Sequence, residues 1–584
     1  MFAKAPRRRL SPSRLAAAWL LRYSSPSTLF VAIDCQTASV SVNLAFRWEY
    51  VNMKVRCYNG RKSAVTTMDV NSDDKRLIPL KPSARKGLLV LLGAASFICY
   101  WALMSIALNP KLQIVYNVKG ANYGGPLVWP SRWFHLANLN DVTRMWVFMT
   151  LAVLVTLMWL AVIYLVRNDS SRSTALILGG AFLLFALVFV FGPTFQSKDV
   201  FSYIFHGRAM SVYHSNPYLL IPHARTGDVF YPLIGWKFNA SVYGPVYNFI
   251  SYAITKVAGN SVAANVLGFK MLAFLSYAAC LPLVYWLTKR VTPGKENMAL
   301  AITAWCPILV MHVLGAGHND PVMVAFLLAG FLLYRKGYLL TGIAFVVLGA
   351  MVKITGALAL APMLVMYVRD RRGAPLKRAA AAGGVVVGLS MLVYLPFLSS
   401  LKIFGTTLHM TKLYSTSSIP NMFSDWYRRI LVGGGMGSVR AGLIANSRVH
   451  ILFTLLLVAI AIVLLTRVKD YRSMVACSAG LFLAWFLTSS WLLPWYLFMG
   501  LAFAAILGWS RLTAFIVGLA AIFILFRIPQ PPGGAISGTG PVYFFSIPFP
   551  LIFIGWASLS GVEWLQRRRA AAESPATAGV VEEA

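Results

Sequence analysis

Of 584 residues, 58% are hydrophobic and 12% charged, while 53 lysines and arginines against 18 acids give a formal net charge of +35. Apolar runs long enough to cross a bilayer recur from residue 87 almost to the end, which excludes a soluble globular enzyme. The basic residues stand in short links between those runs, where they orient helices, so no nucleic-acid partner is expected.

Residues 1–85 differ in character from the rest of the chain. The opening MFAKAPRRRLSPSRLAAAWLLRYSS is rich in Arg and Ser and has no acid before Asp34, a composition superficially like an organelle transit peptide. It is expected to be a basic, disordered cytoplasmic extension, or to precede a true start at Met53 or Met68.

Residues 86–565 form the membrane domain. Placing Arg167 with Arg172, Lys289 with Arg290, Arg335 with Lys336, Arg369 to Arg378, Arg467 to Arg472, Arg511 and Arg567 to Arg569 in the cytoplasm threads the chain without contradiction. Spans fall near 87–108, 143–166, 173–192, 263–288, 298–315, 319–334, 338–352, 354–368, 380–399, 450–466, 473–490, 493–509, 511–527 and 543–560. The expected fold is therefore all-α and polytopic, with about 14 transmembrane helices (13–15) and outward loops bearing short interfacial helices. The two spans flanking Lys353 are short enough to be a re-entrant pair, and 244–259 is a further candidate crossing. Segments 109–142, 193–262, 400–449 and 528–542 face outward, and residues 566–584 are a cytoplasmic tail. Four of the six cysteines fall in apolar spans at no metal-ligand spacing, which makes them small core hydrophobes.

The densest polar and aromatic stretch is SKDVFSYIFHGRAMSVYHSNPY, residues 197–218, followed by SVYGPVYNF from Ser241. Irregular polar backbone cannot face hydrocarbon, so 193–262 is expected to be a catalytic outer loop. Threading leaves Asp141, Asp199, Asp228, Asp320 and Asp425 near the outer face. Asp199 follows the span ending Phe191-Gly192-Pro193, at head-group depth. Ser197 or Asp199 could equally cap a short helix there. Ser202, Tyr203, His206 and Arg208 follow at helical spacing, and Asn216-Pro217-Tyr218 breaks the helix. Arg208 has the planar fork that suits phosphate. Tyr203 also reads as an interface anchor, and His206 as a polar packing residue.

Farther along, GAGHND brings His318, Asn319 and Asp320 to a span end, too few ligands to define a metal site, with capping by Asn319 and Asp320 an equal reading. Lys353 interrupts GAMVKITGALAL; an ionised side chain at depth costs about 2.5–3.5 kcal/mol unless partnered, so it is expected to face inward as an anion ligand. Lys270 belongs to the same class with weaker force. Trp491, Trp495 and Tyr496, in SSWLLPWY, are interface aromatics with sugar stacking as a second role.

The ordered set Asp199, Ser202-Tyr203, Gly207-Arg208, Asn216-Pro217-Tyr218, Tyr243-Gly244-Pro245, Gly317-His318-Asn319-Asp320, Lys353 and Trp495-Tyr496 resembles the integral-membrane glycosyltransferases of the C-type fold. Within them it is most similar to bacterial polyprenol-phosphate-mannose-dependent α-1,6-mannosyltransferases, over about residues 87–565. The resemblance implies transfer of a hexose, mannose in that family, from a polyprenyl-phosphate sugar to a lipid-linked or cell-envelope glycan on the outer face of the cytoplasmic membrane. It implies Asp199 as general base with inversion at the anomeric carbon, and Tyr203, His206, Arg208, Asn216, Tyr218, Tyr243, His318, Asn319, Asp320, Lys353, Trp495 and Tyr496 as substrate-binding residues. Many relatives carry two adjacent acids in the first loop, whereas Asp199 stands between Lys198 and Val200. That leaves a divalent cation open. The alternative from another class is a secondary transporter or flippase for a phosphorylated lipid or sugar.

Overall fold

A computed structural model describes residues 30–31, 54–59, 62–67, 81–108, 125–195, 197–369, 374–399 and 418–524. The chain divides into two units, Met1–Arg85 and Lys86–Ala584. In the first, β1 (Phe30–Val31) runs parallel to β2 (Lys54–Asn59), and β2 pairs antiparallel with β3 (Lys62–Thr67) from Lys54↔Thr67 to Asn59↔Lys62. This small sheet was not anticipated. Its signal is present, since Gly60-Arg61 stands between the short runs KVRCYN and KSAVTT, and a two-residue link led by glycine suits a hairpin.

The described part of the second unit is built of helices. It begins with α1 (Pro82–Ala107), the short α2 (Trp129–Trp133), α3 (Asp141–Val166) and α4 (Arg172–Phe191). After α5 (Asp199–Ser211) and α6 (Pro245–Ala258) come α7 (Val262–Val291), α8 (Glu296–Ala304), α9 (Pro307–Leu309), α10 (Asp320–Arg335), α11 (Leu339–Ala350) and α12 (Ala357–Arg369). The series closes with α13 (Pro375–Tyr394), α14 (Ile419–Gly433), α15 (Ser438–Thr466), α16 (Tyr471–Thr488), α17 (Leu497–Ile506) and α18 (Arg511–Phe523). Polar side chains start many of them: Asn140, Ser171, Ser261, Asp470 and Ser510 each accept from a backbone N–H of the first turn.

Seven described helices are long and apolar enough to span a membrane, or eight if the pair Glu296–Ala304 and Pro307–Leu314, bent by 44°, is one crossing. All seven coincide with expected spans. Of the remaining expected spans, 319–334 is the 16-residue α10, and Leu339–Ala350, Ile354–Arg369, Pro494–Ile506 and Arg511–Phe523 are apolar pieces below full crossing length. Helix α6, with 14 residues, is also short of a crossing. The expected span at 543–560 and the segment 528–542 lie outside the described residues. Within 400–449, expected to be one outward segment, residues 419–433 and 438 onward are helical.

Every residue of α8 and of α17 is buried, so these two form the centre of the bundle. Indole N–H groups tie the surrounding helices to that centre, Trp159 Nε1 donating to Ala301 O at 2.9 Å and Trp305 Nε1 to Leu178 O at 3.0 Å. At the rim, α13 buries only Ala382 and α15 only Ala441, Ala445, Val449 and Phe453, as befits lipid-facing helices.

Between α4 and α7 the chain leaves this bundle for the polar loop. Lys270, carried by α7, donates to the carbonyls of Phe189, Gly192 and Pro193 at 2.5, 2.6 and 2.8 Å. It thereby satisfies the carbonyls that the end of α4 leaves open, a structural role in place of the anion-binding one considered from the sequence.

Candidate active site

One carboxylate sets the site's position. Asp199 is the first residue of α5, and its backbone N–H is bonded to Ser197 Oγ at 3.2 Å. Its carboxylate receives the Trp236 indole N–H at 3.3 Å on Oδ1, and Oδ2 lies 3.8 Å from His318 Nδ1. With its side chain 20% exposed, Asp199 lines a cavity of about 660 Å³.

The cavity is assembled from several parts of the chain. Ser202, Tyr203 and His206 come from α5, Trp236, Asn239 and Tyr243 from the loop after it, Lys353 and Thr355 from the break between α11 and α12, and Trp491, Trp495 and Tyr496 from the link before α17. His450, Phe453, Thr454 and Leu457 close it with one face of α15, at the spacing that brings helical residues together.

Two glycines make this convergence possible. A Cβ on Gly244 would lie 1.8 Å from Met351 O. Its absence lets Gly244 N donate to Val352 O at 3.0 Å and Val246 N to Met351 O at 3.1 Å, joining the loop to the chain just before Lys353. Gly317, at φ +68°, turns the chain so that His318 and Asn319 lead into α10.

Behind the cavity wall lies a polar cluster. His318 stacks on Trp495 with ring centroids 3.8 Å apart and shares a hydrogen bond with Tyr203 OH at 3.2 Å. Asp320, fully buried, pairs through Oδ1 with Lys353 Nζ at 2.8 Å, and the same ammonium sits 4.1 Å from the Tyr496 ring centroid. Asp320 Oδ2 and both polar atoms of the Asn319 side chain have no hydrogen-bond partner among the described residues. Asn319 occupies the helix N-cap without capping it, so the capping reading of this pair does not describe the structure. Among those residues no group of three or more His, Cys, Asp or Glu side chains is arranged to hold a metal.

Burial sets the protonation of two α5 side chains. It pushes the Tyr203 phenol well above its usual range, with neighbouring Tyr243 and Asp199 acting in the same direction, so the hydroxyl keeps its proton. It pushes His206 from 6.5 down to about 4, against a smaller opposing contribution from the Asn239 backbone.

Three expected ligands, Arg208, Asn216 and Tyr218, lie outside the cavity lining. Arg208 is buried and spends its guanidinium on Asp228 at 2.9 Å, Asn260 Oδ1 at 2.9 Å and Gly259 O at 3.1 Å. It does not line the cavity, because a buried cation beside an acid satisfies that acid first. Asp228 also receives Tyr213 OH and Phe230 N, so this pair fixes the loop. Asn216 Nδ2 donates to Phe397 O at 2.8 Å while its Oδ1 accepts from Tyr218 N, and Tyr218 OH donates to Tyr243 O at 2.8 Å. Asn-Pro-Tyr is thus a brace under Tyr243.

Of the other expected residues, Asp199, Tyr203, His206, Tyr243, Lys353, Trp495 and Tyr496 line the cavity, and His318, Asn319 and Asp320 are packed behind it. Sequence reasoning missed Trp236 and the α15 face with His450. No spacing signal pointed to Trp236, which lies in the loop identified only as a whole.

Comparison with known proteins bears on this arrangement. The sequence model of a family described as "Alpha-(1->6)-mannopyranosyltransferase, N-terminal domain" matches residues 118–369, which include α5, the loop, His318, Asp320 and Lys353. Over 355 residues the chain is 28% identical to alpha-(1->6)-mannopyranosyltransferase A of Mycobacterium tuberculosis, covering 57% of this chain and 66% of that protein. The chain is similar in sequence to the bacterial α-(1→6)-mannosyltransferases. Another such protein, alpha-(1->6)-mannopyranosyltransferase B of Corynebacterium glutamicum, is 23% identical over 408 residues, 64% of this chain and 66% of its own length. A third, alpha-(1->6)-mannopyranosyltransferase A of the same organism, is 28% identical over 183 residues, 30% of this chain and 36% of its own length. The matched stretches thus span about a third to just under two thirds of these α-(1→6)-mannosyltransferases. The resemblance stated from the motifs is borne out, and the helical membrane unit is consistent with the C-type fold.

Proposed function

We propose that this protein is a membrane mannosyltransferase that moves mannose from a polyprenyl-phosphate donor to a lipid-linked or cell-envelope glycan on the outer face of the cytoplasmic membrane. One observation carries the reading: the Asp199 carboxylate stands on the wall of a cavity of about 660 Å³ that also holds Lys353. Asp228 is committed to Arg208, and Asp320 is buried against Lys353, which leaves Asp199 as the acid with solvent-reachable surface there.

In the reaction, the acceptor hydroxyl oxygen bonds to the anomeric carbon from the face opposite the phosphate, and its proton passes to Asp199. The bond from that carbon to the phosphate oxygen breaks, and polyprenyl phosphate departs with the electron pair. A β-linked donor yields an α product by this inversion. Lys353 is the cation that stabilises the departing phosphate, a role Arg208 cannot share while it holds Asp228. A divalent cation, if used, would have to draw most of its ligands from the substrates.

Replacing Asp199 with Asn in membranes supplied with radiolabelled polyprenyl-phosphate mannose should lower transfer about a hundredfold or more while donor binding persists. Undiminished turnover removes Asp199 as the base. Movement of labelled lipid across vesicles without a new glycosidic bond would favour a carrier instead.

A further inference from the structure

One of the residues that hold Asp199 is aromatic. Trp236 is half-buried, lines the cavity and gives its indole N–H to Asp199 Oδ1 at 3.3 Å. Its ring meets Trp491, from the link before α17, with centroids 5.6 Å apart and planes at 71°. In such an edge-to-face pair one indole keeps both faces uncovered by the other.

The segment carrying Trp236 is held before any ligand arrives. His223 N donates to Lys237 O at 2.8 Å, Asn239 N to Trp236 O at 3.3 Å, and Ser241 N to Pro217 O at 2.9 Å. A tryptophan placed this way is poorly explained as a membrane anchor, because its polar edge is spent on the candidate base inside the cavity. Its physical properties suit a ligand with an apolar face and a rim of hydroxyls, which describes a pyranose ring.

We propose that Trp236, braced by Trp491, is the platform on which a pyranose of the acceptor glycan lies, setting its attacking hydroxyl beside Asp199. This rests on the transferase reading above. The donor phosphate is assigned to Lys353, which stands against Asp320 and Tyr496 on other elements. The two substrates therefore meet different side chains, and their affinities are separable by mutation.

The test uses the full chain in detergent or nanodiscs, polyprenyl-phosphate mannose as donor and a short α-linked manno-oligosaccharide as acceptor. Trp236→Leu should raise the acceptor KM about tenfold with donor KM unchanged. Trp236→Phe, which keeps a ring and loses the N–H, should restore most of the acceptor affinity and leave kcat reduced. The oligosaccharide alone should change the intrinsic fluorescence of the unmodified protein and not that of Trp236→Leu. If Trp236→Leu fails to fold, Trp491→Leu should show the same split in weaker form.

Unchanged acceptor KM in Trp236→Leu, or donor and acceptor KM rising together, overturns the platform. If no lipid donor supports transfer while the fluorescence change persists and depends on Trp236, the transferase reading falls and the sugar site stands. If transfer proceeds and no Trp236-dependent binding is found, the reverse holds.

Discussion

At the scale of the residue, the outcome for the basic side chains is set by what each meets. Lys270, Arg208 and Lys353 were all candidate phosphate ligands on charge alone. Lys270 is consumed by three carbonyls and Arg208 by an acid and two further acceptors, whereas Lys353 meets one carboxylate and one ring at the cavity edge. Its pairing with Asp320 has a consequence for mutagenesis. Lys353→Met should weaken donor binding, but it also strands a fully buried carboxylate, which costs about 3–5 kcal/mol. The double variant Lys353→Met with Asp320→Asn should therefore recover the thermal midpoint without recovering donor affinity. Recovery of both would reduce Lys353 to a structural counter-ion.

At the scale of the element, the loop between α4 and α7 works because it is tied to helices distant in sequence. Gly244 is the tightest of these ties, and no side chain fits 1.8 Å from the Met351 carbonyl. Gly244→Ala should separate the loop from the α11–α12 break, displacing Tyr243 and Lys353 together. The expected result is a loss of several kcal/mol, read as a fall in the melting temperature or in detergent-extractable folded protein. An unchanged melting temperature would show that the break yields to the loop. The same geometry explains what was legible here. Asn-Pro and Gly-Pro marked the turns, and Asp199 marked the cavity, since turn chemistry and rare acids are local signals. The partners of Arg208 and Asn216 were not legible, because Asp228, Asn260 and Phe397 reach them only through tertiary packing.

At the scale of the whole molecule, hydropathy located the long helices, and all seven described helices of spanning length fell where apolar runs were read. The count of crossings was less legible because α8 with α9, α11 and α12 are broken or short apolar pieces whose composition matches a full span. The break between α11 and α12 falls at Lys353, on the cavity wall, where neighbouring protein covers irregular backbone.

The stability of the whole fold should carry the signature of one α5 side chain. His206 is buried with its imidazole pushed from 6.5 down to about 4, so between those limits the unfolded chain binds a proton that the folded one refuses. Stability then rises with pH across that window and is lost as pH falls through it, by about 3 kcal/mol in total for this group. Thermal unfolding of the purified protein from pH 7 to pH 4.5 should show that loss superimposed on the contributions of the acids. His206→Gln cannot take up the proton, so its midpoint relative to the unmodified protein should climb steadily as the solution is acidified. A difference between the two that stays constant over the range would mean that the imidazole is either already charged in the folded state or reached by water, and that α5 packs around it less tightly than its burial implies.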